Sequence, residues 1–267
     1  MKSMRFIFAL CVVAMATFFI YSCAKDGNEP VSQNKNTIVE SRSSSACTPS
    51  SMFSEYINCV EDTITTLITF GGPTLYNTNS LIASICPDLE VTVTYKIRRC
   101  DVIGSTQKIH FIYDLEYDLA DMIAACPDLG QEIDNQNILG NLVEFLDAID
   151  HEVSAQAEYN QAYLDAQQTP PLVPLCSQTQ RYTISYIRNT CYQWVPYTGN
   201  SEVPVPAYRK EECGASVCCV RATAYCNNGT VMEPNLVYSQ RGYISFEGEC
   251  PEECTHKCLG PSEFGAE

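Results

Sequence analysis

The sequence predicts an α+β fold: a mainly helical N-terminal half with one β-hairpin, then a disulfide-rich antiparallel β module. Three observations predict it. Apolar residues recur at helical spacing through most of the chain before Pro170, interrupted by one period-two stretch. Period-two stretches dominate after Pro171. Nine cysteines are crowded into that last part, against five between residues 47 and 126.

The first element is a leader. Lys2 and Arg5 precede an apolar run from Phe6 to Ile20, broken only by Thr17. The run has the length of a signal-peptide core and is too short to span a bilayer. It closes on Ile20-Tyr21-Ser22-Cys23. Residues 1–22 are read as signal peptide. Residues 23–47 are polar, with too few large apolar side chains to form a core, and are read as a flexible tether. Such a segment reaches about 25–30 Å on average.

Residues 48–170 are read as the helical region. Thr48 and Pro49 match an N-cap and first helical position, and Phe53, Ile57, Val60, Ile64 and Leu67 form a helical stripe. Ser80 to Cys86 is a shorter helix. Val91, Val93, Tyr95 and Ile97 alternate with polar residues, as do Ile109, Phe111, Tyr113 and Leu115. With Gly104-Ser105 between them, the two runs predict an antiparallel hairpin. Ile85-Cys86-Pro87-Asp88-Leu89 returns as Ala125-Cys126-Pro127-Asp128-Leu129, each copy ending a helix at its proline. A long amphipathic helix follows at 136–167: Ile138, Leu142, Phe145, Leu146, Ile149, Val153 and Ala157 form its apolar stripe. Glu144, Asp147, Asp150, Glu152, Glu158 and Asp165 are expected on its solvated face.

Residues 171–267 are read as the cysteine-rich β module. Tyr182, Ile184 and Tyr186 mark one strand. Cys218, Val220, Ala222, Ala224 and Cys226 mark one face of another, with Cys219, Arg221, Thr223 and Tyr225 on its opposite face. Asn227-Asn228-Gly229 is a turn signal.

Charge and cysteine usage bound the function. The chain carries 32 Asp+Glu against 16 Lys+Arg, a net charge of −16. This sign opposes nucleic acid and anionic lipid surfaces. With Cys11 in the leader and Cys23 at its end, fourteen cysteines remain: Cys47, Cys59, Cys86, Cys100, Cys126, Cys176, Cys191, Cys213, Cys218, Cys219, Cys226, Cys250, Cys254 and Cys258. An even number in an exported chain reads as a disulfide framework. Five lie before Pro170 and nine after it. Both counts are odd, so complete pairing requires a bridge across the split. Cys218 and Cys219, adjacent on a strand, point to opposite faces and are expected to take different partners.

Sites with chemistry are few. Cys250, Cys254, His256 and Cys258 have zinc-ligand types, yet the disulfide reading takes precedence and no metal or cofactor is assigned. Asp114, Glu116, Asp118 and Asp121 lack the glycine and terminal acid of a calcium loop. His110, His151 and His256 are the only histidines and are expected at the surface. Tyr192, Trp194 and Tyr197 are the candidate contact face, since aromatics carry much of the energy at such faces.

Ser22-Cys23 at the end of the apolar run resembles the lipobox of bacterial lipoproteins. With Lys25-Asp26 behind it, the segment is similar to lipoproteins of the Bacteroidota. The resemblance implies cleavage before Cys23, acylation of Cys23 including a palmitate-type chain, and anchorage in the outer membrane. It also implies display at the cell surface. The function expected is a non-enzymatic binding, adhesion or complex-accessory module with an unidentified protein or glycan partner. The membrane is engaged only through the N-terminal lipid, and nucleic acid is not a partner. The alternative is a lipid-anchored hydrolase using acidic residues and His110 or His151.

Overall fold

The computed structural model describes residues 47–49, 56–71, 80–104, 108–180, 182–197, 206–213, 217–245, 250–252 and 254–256. All belong to one compact unit, Ser43–Glu267. The leader, Cys23, most of the tether and Cys258 lie outside the described residues.

The architecture is mostly β, which corrects the expected helical N-terminal half. Strand β1 (Tyr56–Thr69) occupies the stretch read as the first helix. Its sequence explains this. Val60, Thr63, Ile64, Thr65, Thr66, Ile68 and Thr69 are β-branched and fit a pleated strand better than a helix. Ile57, Val60 and Leu67, three of the five residues of the apparent helical stripe, are exposed. The residues that face inward are Ile64, Thr66 and Ile68, at period two.

Helix α1 (Leu81–Ile85) leads into strand β2 (Glu90–Val102), which pairs antiparallel with both β1 and β3 (Lys108–Tyr117). This is the hairpin expected from the alternation at 91–97 and 109–115. Three helices follow: α2 (Leu119–Ala125), α3 (Pro127–Leu139) and α4 (Leu142–Ala166). The long helix expected at 136–167 is thus divided. Gly140 takes a left-handed φ of 79° that closes α3, a conformation glycine adopts without a Cβ penalty.

The three helices return the chain to the starting end of β3. Strand β4 (Tyr182–Asn189) therefore pairs parallel with β3, as a crossover connection requires. Strands β7 (Cys218–Asn227) and β8 (Leu236–Ser245) continue the same sheet antiparallel, giving the order β1-β2-β3-β4-β7-β8. Part of the stretch read as an antiparallel β module, strands β4, β7 and β8, hence supplies half of one mixed six-stranded sheet. After Thr190, the chain leaves β4 directly as β5 (Cys191–Tyr197). With β6 (Ala207–Glu212) and the two-residue β9 (Thr255–His256) it forms a second sheet, in the order β6-β5-β9.

One core lies between the helices and the large sheet. Val93, Tyr95, Ile97, Ile112, Tyr182 and Ile184 from the strands meet Leu129, Ile133, Leu146, Ile149 and Val153 from the helices. A smaller cluster on the opposite sheet face gathers Phe111, Tyr113, Ile187 and Val220 around Cys47, Cys100 and Cys218.

Among the described residues six disulfides brace this frame: Cys47–Cys218, Cys59–Cys100, Cys86–Cys126, Cys176–Cys226, Cys191–Cys250 and Cys213–Cys254. Cys219 is also bonded, to a partner outside the described residues. Cys218 and Cys219 thus do not bond each other. Cys47–Cys218 crosses Pro170. Cys86–Cys126 joins the two copies of the Cys-Pro-Asp-Leu phrase, and beside it opens a groove of about 670 Å³ lined by Leu67, Asp88, Glu90 and Asp128 among others. Gly71 lets the chain pass this point, since a Cβ there would meet the Pro87 carbonyl oxygen at 1.6 Å.

Candidate functional site

The acids expected on the solvated face of α4 are largely inside the protein. Asp147, Asp150, Glu158 and Asp165 are 1%, 5%, 0% and 0% exposed. With Ser154 and Gln161, also buried, they recur at helical spacing and form a polar ladder along the helix. Burying a charge is costly unless it is paired and hydrogen-bonded, and each rung finds its partners on the sheets.

At the C-terminal rung, Asp165 accepts hydrogen bonds from Tyr182 Oη at 2.7 Å, Gln161 Nε2 at 2.9 Å and Gln168 Nε2 at 2.8 Å. His110 Nδ1 lies 3.2 Å from Asp165 Oδ2 and 2.8 Å from Tyr182 Oη. A carboxylate can only accept, so Nδ1 carries the ring proton toward it. His110 is 0% exposed, which corrects the expectation of a surface histidine, and its Nε2 has no hydrogen-bond partner. Gln161 in turn accepts from Tyr95 Oη at 2.8 Å.

In the middle, Arg221 donates from Nε to both Glu158 oxygens at 3.1 and 3.2 Å and from Nη2 to Ser154 Oγ at 3.0 Å. Its Nη1 lies 3.1 Å from His151 Nδ1, and its guanidinium sits 5.2 Å from the Tyr186 ring centroid. Thr223 Oγ1 reaches Glu158 at 3.4 Å.

At the N-terminal rung, Asp150 Oδ2 accepts from Lys210 Nζ at 2.6 Å and Arg188 Nη1 at 3.2 Å. Asp147 Oδ1 accepts from Tyr192 Oη at 2.5 Å and Trp194 Nε1 at 2.8 Å. Lys210 Nζ stands 4.3 Å from the Tyr192 ring centroid and 5.8 Å from that of Trp194.

This arrangement redraws the candidate contact face. Tyr192 is 1% exposed, so it cannot meet a partner; its phenol is held by Asp147. Trp194 and Tyr197 are partly buried against the core. Tyr197 donates to Asp118, the N-cap of α2; burial and that carboxylate push its phenol up to about 12. The aromatic stretch is thus mainly the packing of the small sheet onto the helices.

Other sequence candidates are engaged too. Asp114 pairs with Lys96 at 2.9 Å. Cys250 and Cys254 are in disulfides, which removes two of the thiols a zinc site would need. Glu152, expected on the solvated face, accepts from Ser80 Oγ at 2.8 Å and the Leu81 and Ile82 amides at 2.5 and 3.0 Å, holding the start of α1. Of Arg188, Lys210 and Arg221, only Arg221 carries a signal in the sequence: with Thr223 it alternates with the apolar face of β7.

The charges dictate a pH response. Burial pushes the Asp150 carboxyl up, but Lys210 and Arg188 outweigh it and hold the group below the ordinary range. Burial also opposes Asp165, and hydrogen bonds from His110 and Tyr182 overcome it. Lys210 is moved down, first by burial and then by Arg188, against the pull of Asp150; two cations share one carboxylate. A carboxylate with a depressed folded pKa stabilises above its unfolded value and loses that contribution as pH falls through the folded one. Unfolded aspartate titrates near ~3.9. The urea midpoint is therefore expected to decline as pH drops from about 4 toward 2 through loss of these contributions. A midpoint that stayed flat over that range would contradict the assignment.

Compared with known proteins, the chain matches no family model, no curated protein and no solved structure.

Proposed function

We propose that the chain is a lipid-anchored outer-membrane protein whose disulfide-braced domain works at the cell surface as a binding, adhesion or complex-accessory module. It engages a protein or glycan and no nucleic acid. The observation that carries this is the inward commitment of the chemistry. The buried acids of α4 are bound to cations, phenols and amides of the protein's own sheets, within a frame held by six described bridges. Such a frame is preorganised, which lowers the ordering cost of contact. Ile138 and Leu139, 76% and 67% exposed at the turn between α3 and α4, are an outward apolar pair for such a module to present.

Two measurements test it together. Cys23→Ala is expected to abolish metabolic labelling with fatty acid, and protease treatment of intact cells is expected to digest the domain. Unchanged labelling of the variant removes the anchor. Digestion only after lysis places the domain in the periplasm.

A hydrolase is the second reading, and one observation favours it: His110 is oriented by Asp165 and keeps an unpartnered Nε2. The ring is 0% exposed, so a substrate would have to part α4 from the sheet. Ester hydrolysis by the parent that vanished in a folded His110→Gln variant would promote this reading.

A further inference from the structure

We propose that Lys210 and Asp150 condense into an intramolecular amide, a covalent cross-link between β6 and α4 formed by the protein itself. The observation is the N-terminal rung of the ladder. Lys210 Nζ lies 2.6 Å from Asp150 Oδ2, across 60 residues of sequence. The carboxylate is 5% exposed. The rings of Tyr192 and Trp194 stand at 4.3 and 5.8 Å from the amine and screen it.

Amide formation needs a nucleophile and a carbonyl carbon held together, a proton carrier, and stabilisation of the developing oxyanion. All three are present. The helix and a strand of the small sheet fix the two reacting groups. Asp147 is three residues before Asp150 on the same helix, its Oδ1 bound to the two screening residues at 2.5 and 2.8 Å. Its other oxygen, Oδ2, is buried without a partner, placing a basic atom in the same rung. Arg188 Nη1 at 3.2 Å and Tyr117 Oη at 3.4 Å donate to the Asp150 oxygens, where negative charge gathers in the tetrahedral intermediate.

The step balances without an oxidant or co-reactant. The Lys210 ammonium passes one proton, through Asp147 Oδ2, to an Asp150 oxygen, leaving a neutral amine beside a neutral carboxylic acid. The freed lone pair attacks Asp150 Cγ, and the carbonyl electrons move onto the oxygen beside Arg188. The nitrogen passes a second proton, again through Asp147, to the hydroxyl oxygen. The oxyanion re-forms the carbonyl as that C–O bond breaks and the protonated oxygen leaves as water. The amide keeps one N–H, and Asp147 ends as the carboxylate it began as. A partly buried cation and a buried anion become one neutral amide, which relieves the desolvation cost of the pair.

The test is mass spectrometry of the purified full chain after reduction and alkylation, with peptide mapping. The expected result is a branched peptide joining the Asp150 and Lys210 segments, lighter by one water than the two linear peptides. Lys210→Arg keeps a cation against the rings but is expected to give only linear peptides, and Asp147→Asn to lower the bridged fraction. Linear Asp150 and Lys210 peptides alone from the folded parent, at full mass, would overturn the proposal and leave an ordinary ion pair.

Discussion

Glu158→Ala is expected to destabilise the domain by about 3–5 kcal/mol, the scale for breaking one side of a buried ion pair. Glu158 is 0% exposed and Arg221 4%. Alanine would remove the carboxylate that accepts from Arg221 Nε at 3.1 and 3.2 Å, while the guanidinium stays in the interior against Ser154, His151 and the Tyr186 ring. The cost comes from keeping a buried guanidinium without its carboxylate more than from the attraction lost. Replacing both partners with methionine removes both charges, and most of the stability is expected to return. Urea unfolding of the two variants under oxidising conditions separates these effects. Equal losses in the single and double variants would mean that the volume, and not the charge, matters at this rung.

Asp165→Ala is expected to cost a comparable amount. One carboxylate serves His110, Tyr182, Gln161 and Gln168. Each buried donor left without an acceptor costs about 1–3 kcal/mol, though the two glutamines can turn toward other partners, so the total is below the sum. Asp165→Asn keeps the shape and one acceptor oxygen and is expected to lose roughly half as much. Thermal unfolding of both variants checks the order. An Asp165→Ala domain as stable as the parent would mean that the rung is open to water.

These two rungs show where the sequence speaks and where it does not. The hairpin of β2 and β3 is legible because its alternation places Val93, Tyr95 and Ile97 on one face, and those are core residues. β1 is not legible by spacing. Ile57, Val60, Ile64 and Leu67 imitate a helical stripe, while the true signal, a run of β-branched threonines and isoleucines, lies between them. The sheet order is hidden for another reason. Nothing local says that β4 pairs parallel with β3; that follows from helices α2 to α4 carrying the chain back over the sheet. The acids of α4 mislead because a polar stripe at helical spacing has the same pattern on a wet surface as against a polar sheet. Only the inward-phase Arg221 and Thr223 of β7, and the Tyr182 of β4, hint that the sheet has cations and hydroxyls to offer. The cysteine parity is legible, since it needs no geometry: odd counts on either side of Pro170 demand a bridge such as Cys47–Cys218.

That bridge decides how the domain answers a pull. Cys47 precedes β1 in the chain, yet its sulfur is bonded to Cys218 at the start of β7. Tension applied anywhere upstream of Cys47 enters the sheet at β7 and bypasses β1. β1 is an edge strand and would peel from β2 one hydrogen bond at a time. β7 is clamped between β4 and β8, so displacing it along its length means shearing two ladders together. A tug on the N-terminal side is therefore carried first by an inner strand of the sheet, and the edge strand β1 lies off that covalent path.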